Sequence, residues 1–402
     1  MLETKVSSLH IYPIKSTAGV SLPQTNVEEL GLGFDRRFII SDLLGQFITA
    51  RTEPTLCLVT TNLIEQGLVI SAPNMPTLTL LYEEFTNHYQ QVTIWDDKVA
   101  GQLCSNSANA WFSEYLQRPC QLLFFGLDSH RERKPNTNKA RKLAFADGYP
   151  LLLISQASLE NLNQRLSDNQ QQHVSMAQFR PNIVVDNCLS FAEDEWQHIR
   201  IGEVEFKVSK PCERCIFTTV NPKNGEKHPE QQPLRTLKSF RRNHHGEVLF
   251  GQNLIALNKG TINQGDEVTI IAKQKQPLFI LPELANDTAT PQNSLKTGNE
   301  ASKPTNKKLN VFFEKWNKTY QISSSSQKAN KKPKTLLENG EDAGLILPYS
   351  CRAGMCGRCK AKLVSGEVEQ SSSDGLTSEE KQEGYILCCS AIATSDVVIK
   401  HQ

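Results

Sequence analysis

Four cysteines near the C-terminus have the types and spacing to do chemistry together. Cys351, Cys356 and Cys359 are spaced C-x4-C-x2-C, and Cys389 follows 30 positions later. Four thiolates so arranged hold a [2Fe–2S] cluster. Gly354, Gly357 and the small Ala353 let the backbone bend close around such a cluster and aim amide N–H groups at its sulfurs. Arg352 and Arg358 offset its negative charge. Cys388 competes with Cys389 for the fourth position, and Cys356-x-x-Cys359 joined to another pair also suits tetrahedral zinc.

A second set lies in the first two-thirds of the chain. Lys15, Ser16, Arg36 and Arg180 offer charge and hydrogen bonds suited to a phosphate, although a lone Lys or Arg beside a strand is usually a solvated surface charge. Cys212 and Cys215 form a Cys-x-x-Cys pair that reads equally as a redox dithiol or half a zinc site. Asp147, before Gly148, also fits a plain turn.

Composition narrows the classes. Forty-four basic and 43 acidic residues leave a formal charge of +1, so no global field attracts nucleic acid or an anionic membrane. Nothing approaches the roughly 18 consecutive apolar residues of a spanning helix, and Met1 to Tyr12 lacks a signal-peptide layout. Eleven cysteines in 402 residues, several in Cys-x-x-Cys spacings, suit metal ligation in the reducing cytoplasm better than a disulfide framework. No His-Glu-x-x-His, Gly-x-Gly-x-x-Gly or P-loop sequence occurs, so reducing equivalents must arrive from another protein.

The elements that must position these residues are mainly strands. Phe38–Ser41, Gln91–Trp95, Asn182–Asp186, Val204–Val208 and Glu267–Ile271 alternate between turn residues. The one helix expected before the linker is Gln156–Leu166, behind Ser155 or Ser158 as cap. Residues 281–307 are polar and proline-bearing, an interdomain linker. Beyond it, Leu309–Lys315 and Thr319–Ser323 resemble a hairpin and Thr335–Ala343 a helix. Thr377 stands three residues before Glu380 in a capping-box spacing, with Gly384 at the C′ position. The expected organisation is a mainly β region, the linker, and a β-grasp domain over 308–402, mainly β with α+β.

The segments IYPIKS at 11–16, GFDRRFIISDLLGQFITAR at 33–51, FADGYPLLLIS at 145–155, FRPNIVV at 179–185 and KPCERCIFTTVNPKNG at 210–225 resemble, in that order, the MOSC family. The cysteine loop and the run GYILCCSA resemble plant-type ferredoxin domains, a pattern that selects Cys389 over Cys388. The combination is similar to bacterial YcbX-type proteins, and its first two domains to the mitochondrial amidoxime-reducing components. The resemblance implies that the region before the linker comprises two β-barrel-like domains, 1–100 and 101–280, and that a molybdenum–molybdopterin cofactor is ligated through Cys215, with Cys212 secondary. It places Lys15, Ser16, Arg36, Ser155 and Arg180 around the pterin, and Asp147 and Asn182 beside Cys215 in catalysis. It implies reduction of hydroxylamines and N-hydroxylated bases such as 6-hydroxylaminopurine, with electrons passing from a flavoprotein reductase through the chain's own [2Fe–2S] domain. Two departures stand near the metal ligand: Glu213 replaces a small hydroxyl residue, and Asn221 an acidic one. A sulfur-transfer protein carrying a persulfide on Cys215 is the alternative, against which the fused ferredoxin domain argues.

Overall fold

The computed structural model describes residues 3–95, 97–133, 141–244, 246–280, 309–322, 333–345, 347–349, 354, 357–373 and 375–401. The expected linker, Cys351 and Cys356 lie outside them. Backbone contacts divide the chain into one unit of Met1–Lys238 with Leu249–Leu278, and another of Ser239–Val248 with Phe279–Gln402.

In the first unit, alternating apolar residues build an eight-stranded sheet. Its order is Val20–Leu22, Lys5–Ile11, Ile183–Asp186, Leu151–Ser155, Leu249–Ala256, Val204–Glu213, Trp196–Ile201 and Val268–Lys273. The sheet curls until its second strand meets its last: Val6 N–H donates to Asp266 O at 2.9 Å and Val268 N–H to Thr4 O at 2.8 Å. Leu9, Ile11, Leu153, Ile183, Ile199, Phe206 and Leu254 fill the interior.

A four-stranded sheet of Phe38–Ser41, Gln121–Phe124, Asp97–Leu103 and Tyr89–Ile94 forms the neighbouring layer of the same unit. Against it packs a helix, Asn106–Leu116, which no expectation had placed. Ser105 caps it by accepting from Ala108 N–H, and it buries Ala108, Trp111 and Phe112 at helical spacing. A second unexpected helix spans Leu234–Arg241, so the described residues before the linker carry three α-helices rather than one. Gln156–Asp168 forms as expected, with Ser155 as its cap.

The second unit contains a five-stranded sheet ordered Lys318–Ile322, Leu309–Phe313, Val397–Lys400, Lys360–Ser365 and Tyr385–Leu387. Its strands Leu309–Phe313 and Val397–Lys400 pair in parallel. The helix Leu336–Asp342, held by a capping box between Thr335 and Glu338, buries Leu336 and Leu337 in the core of this unit. This is the expected β-grasp arrangement. Thr377 and Glu380 also form a capping box, at the helix Ser378–Gln382, and Gly384 follows with φ +82°.

Candidate active site and iron–sulfur loop

The chain brings Lys15, Arg51, Asp147 and Cys215 together. Lys15, just past the first strand, donates from Nζ to Asp147 Oδ1 at 2.6 Å and to Phe145 O at 2.8 Å. Arg51 Nη2 donates to Asp147 Oδ2 at 2.8 Å, and the same guanidinium interacts electrostatically with Cys215. Arg131 holds the strap that carries Asp147: it donates to Ala144 O at 3.0 Å, Ala146 O at 2.5 Å and Asp147 O at 3.3 Å. Cys215 itself sits where Val204–Glu213 ends, at the N-cap of the short turn Ile216–Thr219.

Charge and burial set the state of this cluster. Burial pulls the Lys15 ammonium down to about 8, with Asp147 recovering part of the loss. For Asp147, desolvation acts upward, but Lys15 and Arg51 outweigh it and hold the carboxyl well below its usual range. Burial would likewise lower Arg51, yet Asp147 and Cys215 raise it. The carboxylate is therefore ionised at neutral pH, and two buried cations face it.

A second group gathers on Tyr12. The guanidiniums of Arg36 and Arg180 lie 4.3 and 4.1 Å from its ring centroid. Arg36 donates to Asp35 Oδ2 at 2.6 Å and to Asn182 Oδ1 at 2.9 Å, and Arg180 donates to Thr17 O. Burial lowers Arg180 to about 10. Arg180 also walls a cavity of about 430 Å3 with Tyr12, Cys57 and Phe217, a size suited to a small-molecule ligand. Ser16, Arg36 and Arg180 have φ of +75°, +49° and +56°. Left-handed backbone at non-glycine residues costs energy and collects at functional sites.

Two expected residues take scaffold positions. Asn182 is 1% exposed: its Oδ1 accepts from Arg36 and from Leu152 N–H, and its Nδ2 donates to His10 O. Its carboxamide is thus committed to joining three strands of the sheet rather than to chemistry beside Cys215. Ser155 is fully buried, and its hydroxyl accepts from Ser158 N–H at 3.1 Å as a helix cap. Glu193 Oε1 accepts from Ser155 N–H and Ser158 Oγ, so Ser155 belongs to that network. Among the departures, Glu213 pairs with Lys210 at 2.5 Å, and Asn221 lies in a turn, accepting from Lys223 N–H.

The residues around Cys215 fit an anionic, sulfur-bearing cofactor. Arg51 and Arg214 each keep a buried Nε without a hydrogen-bond partner, a costly condition that an acceptor would relieve. Arg214 meanwhile fixes the loop, donating to Cys212 Sγ at 3.1 Å and to Phe179 O at 2.6 Å. Burial pushes the Cys212 thiol up, with Arg214 opposing. Arg51 and Arg214 escaped the sequence reading because a single arginine carries no local signal of burial.

The ferredoxin loop converges in the same sense. Cys389 Sγ lies 3.1 Å from Cys359 Sγ and accepts from Gly354 N–H at 3.2 Å. Cys388 Sγ instead faces His401 Nε2 at 3.6 Å. Gly354 and Gly357 adopt φ of +69° and +72°, and a Cβ there would approach Ser372 O and Gly375 O to 2.7 Å. Only glycine fits both demands.

The comparisons with known proteins agree with this architecture. Residues 3–119 match the MOSC N-terminal beta barrel domain, 140–269 the MOSC domain, and 321–394 the 2Fe-2S iron-sulfur cluster binding domain. Together they define a molybdenum-cofactor oxidoreductase with its own [2Fe–2S] domain. Mitochondrial amidoxime-reducing component 1 of Mus musculus is 34% identical over 285 residues, 67% of this chain and 82% of its own. Its Homo sapiens counterpart is 34% identical over 67% of this chain and 83% of its own. Mitochondrial amidoxime reducing component 2 of Rattus norvegicus is 35% identical over 65% and 82%. The chain belongs to the family of the amidoxime-reducing components. No helix among the described residues is long and apolar enough to cross a membrane.

Proposed function

We propose that this protein reduces N-hydroxylated compounds, hydroxylamines and N-hydroxylated bases such as 6-hydroxylaminopurine, to the corresponding amines. The observation that carries the proposal is the convergence of Cys215, Arg51, Asp147 and Lys15. When bound, the molybdenum cofactor supplies two-electron chemistry at the N–O bond, fed one electron at a time through the [2Fe–2S] domain by a flavoprotein reductase. The substrate takes up two electrons and two protons and releases the amine and water.

In this proposal Cys215 ligates molybdenum, a soft thiolate suited to that metal. Lys15, Ser16, Arg36 and Arg180 supply the cationic, hydrogen-bonding surface for the pterin and its phosphate. Asp147 stays ionised and orders Lys15 and Arg51, and its half-open carboxylate can accept a hydrogen bond from an N–OH group. Lys15, whose ammonium titrates nearest to neutrality of the three, is placed to give one of the two protons consumed, and solvent supplies the other. Asn182 and Ser155 brace this surface from behind. In the second unit, Cys351, Cys356, Cys359 and Cys389 hold the cluster.

The proposed compartment is the reducing cytoplasm, on the strength of cysteines spaced for metal ligation rather than for disulfides. The deciding experiment measures metals and turnover together. The purified chain should hold about one molybdenum and two irons, and should reduce 6-hydroxylaminopurine to adenine when a flavoprotein supplies electrons. A fully metallated chain that reduces no N-hydroxylated compound overturns the proposal.

A further inference from the structure

We propose that Trp95 is a specificity residue of the Cys215 site, a stacking platform that favours planar heteroaromatic N-hydroxylated substrates, such as purines, over small aliphatic hydroxylamines. This rests on the reductase activity proposed above and names its preferred substrate class.

Trp95 occupies a position that local structure does not ask of it. The hairpin of Tyr89–Ile94 and Asp97–Leu103 pairs Ile94 with Asp97, leaving two residues at its tip. Two-residue turns of this kind demand positive φ and default to Asn or Gly. Trp95 has φ +58°, a conformation that a bulky side chain adopts only at a cost. The hairpin's core is supplied by Val92, Ile94 and Val99, all fully buried, whereas Trp95 is half-buried.

The position does place the indole at the site. Its Nε1–H donates to Asp147 Oδ1 at 3.1 Å. Its ring centroid lies 4.9 Å from the Arg51 guanidinium, the group that bonds Asp147 and interacts electrostatically with Cys215. Phe47 meets the same ring in an edge contact, centroids 5.3 Å apart, and Lys15 Nζ stands 5.7 Å from the Phe47 centroid. Trp95 and Phe47 therefore form an aromatic wall along the Lys15–Asp147–Arg51 cluster. A tryptophan face beside cations and an ionised carboxylate recognises a flat, polar-edged ring system. The ring stacks while its exocyclic N–OH reaches the carboxylate. A small aliphatic hydroxylamine can make the second contact and not the first.

The test uses the holoenzyme with Trp95→Gly, which suits the turn and removes the ring, Trp95→Leu, which keeps apolar bulk, and Trp95→Phe, which keeps an aromatic face. Steady-state constants for 6-hydroxylaminopurine and N-methylhydroxylamine are measured at equal molybdenum content. Binding of adenine is followed by calorimetry. Base stacking on an aromatic side chain corresponds to about 5- to 150-fold in binding. The preference for 6-hydroxylaminopurine should fall about tenfold or more in the Gly and Leu variants, mainly through KM, with a parallel loss of adenine affinity, while Trp95→Phe retains most of it. Equal losses on both substrates, or an unchanged preference, overturn the platform. Adenine binding keeps the two ideas separable: wild-type protein that binds adenine through Trp95 but reduces neither substrate contradicts the reductase proposal and leaves the platform standing.

Discussion

Lys15 Nζ lies 2.6 Å from Asp147 Oδ1 although 132 positions separate them in the chain. The contact joins the turn after the first strand to the strap that Arg131 secures, and Arg51 closes it onto Cys215. A carboxylate between two buried cations is the feature around which the proposed chemistry is built.

Burial lowers the Lys15 ammonium to about 8 from 10.5. The folded chain thus binds this proton less tightly than the unfolded chain, so stability from this site rises as pH climbs from about 8 toward 10.5. In cofactor-free protein, the unfolding free energy of wild type relative to Lys15→Met should be flat below about pH 7 and increase with pH through that window, by at most about 1.4 kcal/mol per unit. Denaturant titrations at several pH values check this. A difference that shrinks as pH rises contradicts it.

Ser155→Ala removes a buried helix cap and an oxygen of the Ser158–Glu193 network, a loss of about 1–2 kcal/mol of stability. Molybdenum content and turnover per folded molecule should stay close to wild type. A drop in cofactor retention without loss of stability would restore Ser155 to the pterin surface.

Much of this was legible in the sequence, for physical reasons that differ by site. Cysteine spacing carries the iron–sulfur loop because four thiolates need it, and Cys389 faces Cys359 in the fold. The capping residues Ser155, Thr335 and Thr377 announce their helices locally. The helix Asn106–Leu116 carries the same kind of local signal, Ser105 as cap followed by Ala108, Trp111, Phe112 and Tyr115 at helical spacing. Arg51 was not legible: its partner Asp147 is 96 positions away, and nothing near Arg51 shows that it is buried. Asn182 entered the catalytic set through the family resemblance alone, whereas its hydrogen bonds come from strands brought together only by folding. The left-handed backbone at Ser16, Arg36 and Arg180 is likewise imposed by tertiary structure, since none is glycine.

Cys388 and Cys389 should behave oppositely despite being neighbours. Cys389→Ser removes a sulfur that meets Cys359 and Gly354 N–H, and should abolish the native [2Fe–2S] absorption and electron paramagnetic resonance spectra. Cys388→Ala replaces a buried thiol beside His401, leaves a small cavity, and should keep both spectra. The reverse pattern would assign the fourth ligand to Cys388.

The central claim is that Cys215 serves the metal at the reacting centre, and Cys215→Ser tests it most directly. Serine keeps the approximate size and removes the soft thiolate, while Lys15, Arg36 and Arg180 remain to hold the cofactor. Molybdenum content should be near normal, the cluster intact and reducible by the flavoprotein, and reduction of 6-hydroxylaminopurine lost. A variant that turns over at the wild-type rate contradicts the assignment of Cys215.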